Sequence, residues 1–240
     1  MRYAVVTGCA SGIGKEVASQ LHDLGIKVYG LDIQSCETPF KSYLCEVSDE
    51  DQVDRVVNEI SKETNHIEYL INCAGLLTIG KPLSIKDMSL KQWDAIIKIN
   101  LRSVMIATKL FYPLLKNGSS PIIINLSSEQ AYDPDEKFSP YVVSKSGVNS
   151  FTMCSAKEFL EDGIRVNAVA FGTIKTNIIK SFCDKETESL LYENKERTIP
   201  FGVLSADVAA KIIVNLLDEK YRYMSGEIIR VDGGNHLRRK

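Results

Sequence analysis

Residues 7–14 read Thr-Gly-Cys-Ala-Ser-Gly-Ile-Gly and connect a short apolar run to a segment with helical periodicity. Glycines at such a turn let the backbone bend tightly and approach a pyrophosphate, which then lies at the positive N-terminus of the helix. Asp32 follows eighteen residues after Gly14, at the end of the next apolar run. This combination predicts a dinucleotide-binding turn. The residues expected to contact the coenzyme there are Gly8, Ser11, Gly12, Ile13 and Gly14.

Short apolar runs alternate with amphipathic segments along the whole chain. Strands are predicted at 3–6, 27–31, 69–71, 121–126, 165–169 and 228–231, and helices at 13–24, 48–60, 90–115, 139–160 and 206–217. Apolar runs rich in β-branched residues suit a parallel sheet that is covered on both faces. The alternation therefore predicts a single-domain, Rossmann-like α/β fold over residues 1–240, with a doubly wound parallel sheet and helices on both faces.

Two segments depart from this rhythm. About a dozen residues, including Pro39, separate the strand ending at Leu31 from a strand near Tyr43. A parallel crossover with a full helix needs more residues, so we expect an irregular link that leaves one edge of the sheet thinly covered. Residues 174–200 are charged and lack strong periodicity. They suit a lid over a substrate site or a helical insertion at the surface, and we assign them as the substrate loop.

Composition excludes several classes of protein. The chain has 240 residues, of which 44% are apolar and 25% charged, and a net charge of −2. Such a balance argues against a nucleic-acid-binding or membrane-surface protein, and no apolar stretch approaches the roughly 18 residues of a transmembrane helix. Six cysteines without a C-x-x-C pair or a secretory signal predict reduced thiols and a cytoplasmic protein. Three scattered histidines have no metal-ligand spacing, so no metal site is expected.

A tyrosine, a lysine and a serine pair suggest acid/base chemistry. Tyr141 and Lys145 lie four residues apart, on one face of a predicted helix. Lowering the pKa of a tyrosine by roughly three units requires about 4 kcal/mol, which an adjacent ammonium and a positive nicotinamide ring would supply. Ser127 and Ser128 close a predicted strand, where open α/β sheets bind ligands. Ser128 is the first choice for orienting a substrate oxygen toward Tyr141, and Ser127 is the alternative because adjacent strand residues face opposite sides.

Taken together, these motifs resemble the short-chain dehydrogenase/reductase family over essentially the whole chain. The matching residues are the 7–14 loop, Asn72-Cys73-Ala74-Gly75, Asn100, Ser127-Ser128, Tyr141-x-x-x-Lys145, Asn167-x-Val169 and Val231-Asp232-Gly233-Gly234. The resemblance implies a nicotinamide-dependent enzyme that acts on secondary alcohols or ketones.

The resemblance also implies roles for the catalytic residues. Tyr141 would be the general acid/base and Ser128 would orient the substrate. Lys145 would lower the pKa of Tyr141 and hold the nicotinamide ribose. Asn100 would anchor a water that relays protons to Lys145, although without the family it is interpreted as a satisfied polar residue on a half-buried helix.

Further coenzyme contacts follow from the same resemblance. Asn72, Ala74 and Gly75 would line the adenosine side, and Glu46 and Val47 the adenine. The carboxamide would meet Gly172, Ile174 and Thr176. Phe171 stands where the family usually has proline. Loss of that proline is expected to free the local backbone.

Asp32 distinguishes the two nicotinamide coenzymes. Its carboxylate would accept hydrogen bonds from the ribose hydroxyls and repel a 2′-phosphate. Neither Ala10 nor Ser11 offers a cation to such a phosphate, whereas Lys15 lies one residue beyond the loop. The sequence therefore favours NAD, with NADP as the less favoured coenzyme.

Three functions remain open at this point. The leading one is an NAD-dependent oxidoreductase for a small secondary alcohol or ketone. The strings 74–77 and 199–202 weakly resemble the 2,3-dihydro-2,3-dihydroxybenzoate dehydrogenases, which favours a cyclic diol. The alternatives are an NADPH-dependent 3-oxoacyl-type ketoreductase and a non-catalytic dinucleotide-binding sensor or scaffold. By resemblance, helix 90–115 and the helix that carries Tyr141 would pair copies into a homodimer or homotetramer.

Overall fold

The computed structural model describes residues 1–179 and 183–238. The strands are β1 (Tyr3–Thr7), β2 (Lys27–Asp32), β3 (Lys41–Leu44), β4 (Tyr69–Asn72), β5 (Ile122–Ser128), β6 (Arg165–Phe171), β7 (Ile174–Lys175), β8 (Leu204–Ser205) and β9 (Ile228–Val231). The α-helices are α1 (Gly12–Asp23), α2 (Glu50–Ser61), α3 (Leu90–Ile97), α4 (Ser103–Lys116), α5 (Ser139–Glu158), α6 (Lys185–Thr198) and α7 (Ala206–Leu216).

Seven parallel strands form one sheet in the order β3-β2-β1-β4-β5-β6-β9. The chain winds outward from β1 to β3, then returns to place β4 on the other side of β1. The strand order therefore reverses between β1 and β4, where Thr7 pairs in register with Asn72. In open α/β sheets a ligand binds beside such a reversal, outside the carboxyl ends of the strands. The single-domain Rossmann-like prediction is confirmed.

The sheet is buried on both faces. Ala4 and Val6 of β1 pack in the layer that contains α1 and α7. Val5, between them, packs in the layer that contains α2, α4 and part of α5. All three side chains are fully buried. The apolar runs without alternation are explained by this double coverage.

Helix α1 ends as its sequence predicts. Gly25 adopts a left-handed φ of 75°, and its N–H donates to the His22 carbonyl at 2.8 Å. The N–H of Ile26 reaches back to the Leu21 carbonyl at 3.1 Å. This pair of bonds is the Schellman ending that glycine favours.

The N-cap of α2 lies one residue after Ser48, where the predicted 48–60 helix begins. Asp49 is the N-cap, and its carboxylate accepts a hydrogen bond from the Gln52 N–H at 3.1 Å. Ser48, with which the sequence pattern opens this helix, is therefore not the cap. The hydroxyl of Ser48 instead donates to Glu46 Oε1 at 2.6 Å.

The predicted helix over 90–115 consists of α3 and α4 joined by a π-helical turn at Lys98–Arg102. Such a turn holds one more residue than an α-helical turn and is frequent at functional sites. Asn100 lies within it and is fully buried.

The two irregular segments behave differently. The link between β2 and β3 contains no helix, as expected from its length. In the 174–200 segment, β7 pairs with β8, which lies just beyond the segment. Between these two strands lies helix α6, which has no buried residue. Residues 185–198 therefore form a helix on the surface. Residues 180–182 of the predicted substrate loop lie outside the described residues.

None of the helices among the described residues is both long enough and apolar enough to cross a membrane.

Candidate active site

A cleft of about 460 Å³ runs along the carboxyl ends of the central strands. Apart from Asn72 and Asn100, the predicted site residues all line it. They are Gly8, Ser11, Gly12, Ile13, Gly14, Asp32, Glu46, Val47, Ala74, Gly75, Ser128, Tyr141, Lys145, Gly172, Ile174 and Thr176.

The glycine turn forms one end of this cleft. A Cβ at Gly14 would lie 2.2 Å from the Gly8 carbonyl oxygen, so no other residue fits there. Gly8 has a φ of 72°, and a Cβ on it would lie 2.9 Å from Ala74 Cα. Ser11, the N-cap of α1, makes no capping bond with its side chain. The N–H groups of the first helical turn are therefore left to a ligand, and this cradle fits a pyrophosphate.

Asp32 is held rigidly at the end of β2. Its Oδ2 accepts from the Ala10 N–H and its Oδ1 from the Gln34 N–H, each at 2.9 Å. Ile33 and Gln34, both uncharged, line the same end of the cleft. A fixed carboxylate between uncharged neighbours suits ribose hydroxyls better than a 2′-phosphate.

Glu46 shapes the turn after β3. Its Oε1 accepts from the Ser48 hydroxyl at 2.6 Å and from the Ser48 N–H at 3.3 Å. The Glu46 N–H donates to Gln52 Oε1 at 2.9 Å. The carboxylate is thereby tied to its own turn, at the part of the cleft where an adenine contact was expected.

Asn72 lies outside the cleft. Its Nδ2 donates to Asn125 Oδ1 at 2.8 Å, and Asn125 Nδ2 donates to Thr152 Oγ1 at 2.9 Å. These buried groups tie β4 to β5 and β5 to α5. The structure therefore gives the Asn72 side chain a place in the scaffold behind the site.

Asn100 secures the loop that carries Gly75. Its Oδ1 accepts from the Leu76 N–H at 2.7 Å, and its Nδ2 donates to the Leu76 carbonyl at 2.7 Å and to Ser144 Oγ at 3.1 Å. A Cβ on Gly75 would lie 3.3 Å from Asn100 Oδ1 and 3.6 Å from Lys145 Nζ. Both the oxygen and the nitrogen of the Asn100 amide therefore have hydrogen-bond partners, and the residue positions the loop beside Lys145.

Ser128 and Tyr141 meet at the centre of the cleft. Ser128 Oγ accepts from the Gln130 N–H at 3.2 Å, and its hydroxyl lies close enough to Tyr141 to lower the pKa of the phenol. Ser127 Oγ instead lies 3.4 Å from the Lys145 carbonyl, to which it donates. Of the two serines, Ser128 is the one that acts on the pKa of the phenol.

Burial raises the pKa of Tyr141 above its ordinary value, and the charge of Glu129 raises it further, while the hydrogen bond from Ser128 opposes both. Lys145 Nζ lies 5.7 Å from the centre of the Tyr141 ring. The lowered pKa expected from this lysine is therefore not found in the protein alone, because burial outweighs the favourable contacts.

Phe171 lies in a fixed backbone. It pairs in register with Ser128 on one side and with Val231 on the other. The Gly172 N–H donates to the Val231 carbonyl at 2.9 Å, and a Cβ on Gly172 would lie 2.8 Å from Asp232 Cα. The expectation that losing proline frees this backbone is wrong, because strand pairing on both sides restrains it.

Tyr192 of α6 is a site residue that sequence reasoning missed. Its hydroxyl accepts from the Thr176 N–H at 3.2 Å and lies 3.1 Å from the Thr176 carbonyl and 3.3 Å from the Ile174 carbonyl. It thereby ties the surface helix to the loop expected to hold the carboxamide. The only available signal was an aromatic residue in a charged segment.

Comparisons with known proteins agree with this geometry. A family model described as enoyl-(acyl carrier protein) reductase matches residues 8–236. The 3-oxoacyl-[acyl-carrier-protein] reductase FabG of Thermotoga maritima is 30% identical, over 97% of each chain. An uncharacterised oxidoreductase of Bacillus subtilis, YxbG, is 31% identical, over 96% of this chain and 89% of its own length. The ligand-free aldohexose dehydrogenase of Thermoplasma acidophilum superposes with a TM-score of 0.92 at 29% identity, over 99% of this chain and 95% of that chain.

Proposed function

This chain belongs to the short-chain dehydrogenase/reductase family, and we propose that it is an NAD-dependent oxidoreductase that acts on a small secondary alcohol or its ketone. The observation that carries the proposal is the meeting of Ser128, Tyr141 and Lys145 in the cleft. A buried phenol close to a serine hydroxyl and to an ammonium suits the transfer of a proton to or from a substrate oxygen.

In this proposal Tyr141 is the general acid/base. During alcohol oxidation its phenolate takes the hydroxyl proton, and during ketone reduction its hydroxyl returns a proton to the carbonyl oxygen. Ser128 orients that oxygen through its hydroxyl. A nicotinamide ring held at Gly172, Ile174 and Thr176 would exchange a hydride with the adjacent carbon. Its positive charge in the oxidised form favours the phenolate.

Lys145 has two tasks in this scheme. Its ammonium, 5.7 Å from the centre of the Tyr141 ring, would favour the phenolate. Its position in the cleft supports the proposal that it holds the nicotinamide ribose. Asn100 keeps the neighbouring loop at a fixed distance from Lys145 Nζ, and we assign to it the water through which protons would reach this lysine. We assign residues 174–200 to the substrate loop.

Asp32 supports NAD as the coenzyme. Both of its oxygens are oriented by backbone N–H groups, so the carboxylate cannot turn away from a bound ribose. A 2′-phosphate placed there would face a like charge, which costs several kcal/mol when the charges are close. NADP is therefore the less favoured coenzyme.

A second candidate is an NADPH-dependent 3-oxoacyl-type ketoreductase, which the FabG relative favours. Asp32 argues against it. The aldohexose dehydrogenase neighbour instead favours a small polyhydroxylated substrate, as does the weak resemblance to dihydrodiol dehydrogenases. We propose a small cyclic diol as the first substrate to try. The proposal further includes a cytoplasmic homodimer or homotetramer, which sedimentation would test.

The decisive experiment compares wild type with Tyr141→Phe. Purified protein is assayed with NAD⁺ and NADP⁺ against cyclic diols, sugars and hydroxy acids, and with NADPH against a 3-oxoacyl thioester. We expect oxidation with NAD⁺, and we expect Tyr141→Phe to lower kcat by about 10²–10⁴-fold while NADH binding persists. Tyr223→Phe, at an exposed ring, is the matched control.

Two outcomes would contradict the proposal. Activity of Tyr141→Phe above about a tenth of wild type would remove the phenol from the chemistry. Tight coenzyme binding by wild type with no turnover of any substrate would favour the sensor or scaffold.

A further inference from the structure

A carboxylate comes directly after the proposed substrate-orienting serine in the chain. Glu129 follows Ser128 and begins a short 3-10 turn at Glu129–Ala131. Its Oε2 accepts a hydrogen bond from Asn235 Nδ2 at 2.9 Å. The side chain is half-buried and is close enough to Tyr141 for its charge to act on the phenol. None of the roles proposed above uses this carboxylate.

The donor that holds Glu129 belongs to a rigid turn. Asp232 accepts from the Gly234 N–H at 3.0 Å, from the His236 N–H at 3.2 Å and from His236 Nδ1 at 2.6 Å. These bonds fix the turn that follows β9 and, with it, the amide of Asn235. Glu129 is therefore held from a second element of the chain, more than a hundred residues away in sequence.

The surroundings of Glu129 make its charge costly. Burial raises its pKa, and the charges of Asp232 and Asp135 raise it further, whereas Asn235 and Lys195 lower it. Holding Asn235 does not require a charge, because the amide oxygen of a glutamine would accept the same bond. The negative charge of Glu129 opposes formation of the Tyr141 phenolate, so the bond to Asn235 alone does not explain why a carboxylate is present. A ligand that donates a hydrogen bond to this carboxylate would explain it.

We propose that Glu129 is a specificity residue that accepts a hydrogen bond from a second substrate hydroxyl, on the carbon next to the one that is oxidised. The inference rests on the proposed function and specifies its substrate class as a vicinal diol or polyol. Asn235 occupies Oε2, and Oε1 is the oxygen assigned to the substrate. In the reaction the first hydroxyl gives its proton to Tyr141, its carbon gives a hydride to NAD⁺, and the second hydroxyl is unchanged. The products are a hydroxyketone and NADH.

This assignment separates substrate classes by their hydrogen-bonding groups. A diol brings a donor to the carboxylate, whereas the carbonyls of a 3-oxoacyl thioester are acceptors only. A carboxylate facing an acceptor leaves both groups unpaired, which a buried site penalises strongly. A hydroxy acid brings a like charge to Glu129 and is also disfavoured.

The test uses Glu129→Gln and two matched substrates, cis-1,2-cyclohexanediol and cyclohexanol, with NAD⁺. Wild type should oxidise the diol with the higher kcat/KM. In the variant we expect kcat/KM for the diol to fall by about 10–100-fold, the range for a hydrogen bond to a charged group, while cyclohexanol is unchanged or improved. Glu136→Gln makes the same chemical change on an exposed loop nearby and should leave both values unchanged.

A second readout excludes a purely structural role. Because the charge of Glu129 raises the pKa of Tyr141, its removal should move the acidic limb of cyclohexanol oxidation to lower pH. Glu129→Asp keeps the charge but shortens the side chain, so it should lose diol preference without that pH shift. Thermal unfolding and NADH affinity of each variant are measured alongside.

The outcomes separate this inference from the proposed function. Equal losses for diol and cyclohexanol in Glu129→Gln would overturn the inference, and so would a wild type that oxidises cyclohexanol as well as the diol. Both results leave an active oxidoreductase. Absence of turnover of any alcohol or ketone by wild type would overturn the proposed function itself, and the inference with it.

Discussion

The ammonium of Lys145 donates a hydrogen bond to the backbone carbonyl of Leu126 at 2.8 Å. Leu126 lies on β5, so this bond joins the helix that carries Tyr141 to the strand that ends in Ser128. Burial lowers the pKa of Lys145 from an ordinary 10.5 to about 8, although Cys73 opposes the shift. Burial in the site therefore disfavours the charged form of Lys145.

Lys145→Met should stabilise the fold while abolishing turnover. Lowering the pKa from 10.5 to about 8 corresponds to roughly 3 kcal/mol of lost stability while the lysine is charged. The lost hydrogen bond to Leu126 offsets about 1 kcal/mol of this. We expect the free energy of unfolding to rise by about 2 kcal/mol at pH 6.5, measured by urea denaturation.

The same variant has a defined pH dependence. Between pH 8 and 10.5 the unfolded chain retains the Lys145 proton and the folded chain has lost it, so wild-type stability rises with pH in this window relative to the variant. The advantage of Lys145→Met should therefore shrink from pH 8 upward. A variant less stable than wild type at pH 6.5 would contradict the prediction.

The sheet could be predicted from the sequence because the signals for its strands and turns are local. A β-branched run such as Tyr3–Thr7 and the crowded glycine at position 14 each constrain the backbone by themselves. The π-turn at Asn100 escaped prediction, because one extra residue barely disturbs an apolar pattern of helical period. The capping error at α2 had a similar cause, since Ser48 and Asp49 are both good caps and only the contact with Glu46 separates them.

The parts of the site that escaped prediction depend on distant contacts. The hydrogen bond by which Asn235 holds Glu129 spans 106 residues, and no periodic pattern or motif spacing links these two positions. Tyr192 reaches Thr176 from a helix that has no buried face. Hydrophobic periodicity reports which side of an element is buried, but it does not report which polar group lies opposite.

Asp32→Asn should relax coenzyme selection. The amide oxygen keeps an acceptor for the Ala10 or Gln34 N–H, while the charge that faces a 2′-phosphate is removed. We expect the ratio of kcat/KM for NADP⁺ to that for NAD⁺ to rise by about 10-fold or more, since relief of a close like-charge contact is worth at least 1.4 kcal/mol. A second substitution, Ile33→Arg, introduces a cation at the exposed position next to Asp32 and should raise this ratio further. An unchanged ratio in both variants would show that Asp32 does not select the coenzyme.

Tyr192→Phe should weaken coenzyme binding without unfolding the protein. The variant removes the hydroxyl that lies against the Thr176 N–H and the carbonyls of Ile174 and Thr176. Loss of a hydrogen bond of about 1 kcal/mol from this loop predicts a rise in the Kd for NADH of about 5-fold, measured by fluorescence titration. Tyr223→Phe, at an exposed ring, should leave the Kd unchanged. Equal Kd values for wild type and Tyr192→Phe would mean that the contact with α6 does not position the coenzyme loop.

Gly14→Ala and Gly25→Ala should separate coenzyme binding from stability. A Cβ at position 14 would lie 2.2 Å from the Gly8 carbonyl oxygen, so the turn that cradles the pyrophosphate must move. A Cβ at position 25 meets nothing within 4 Å, but the left-handed φ of 75° strains any residue other than glycine. We expect both variants to lose about 1 kcal/mol or more of stability, and only Gly14→Ala to lose NADH binding, by about 100-fold or more. Calorimetric titration and thermal unfolding of the two variants measure both quantities. Retention of NADH affinity by Gly14→Ala would show that the close approach of Gly8 and Gly14 does not form the pyrophosphate cradle.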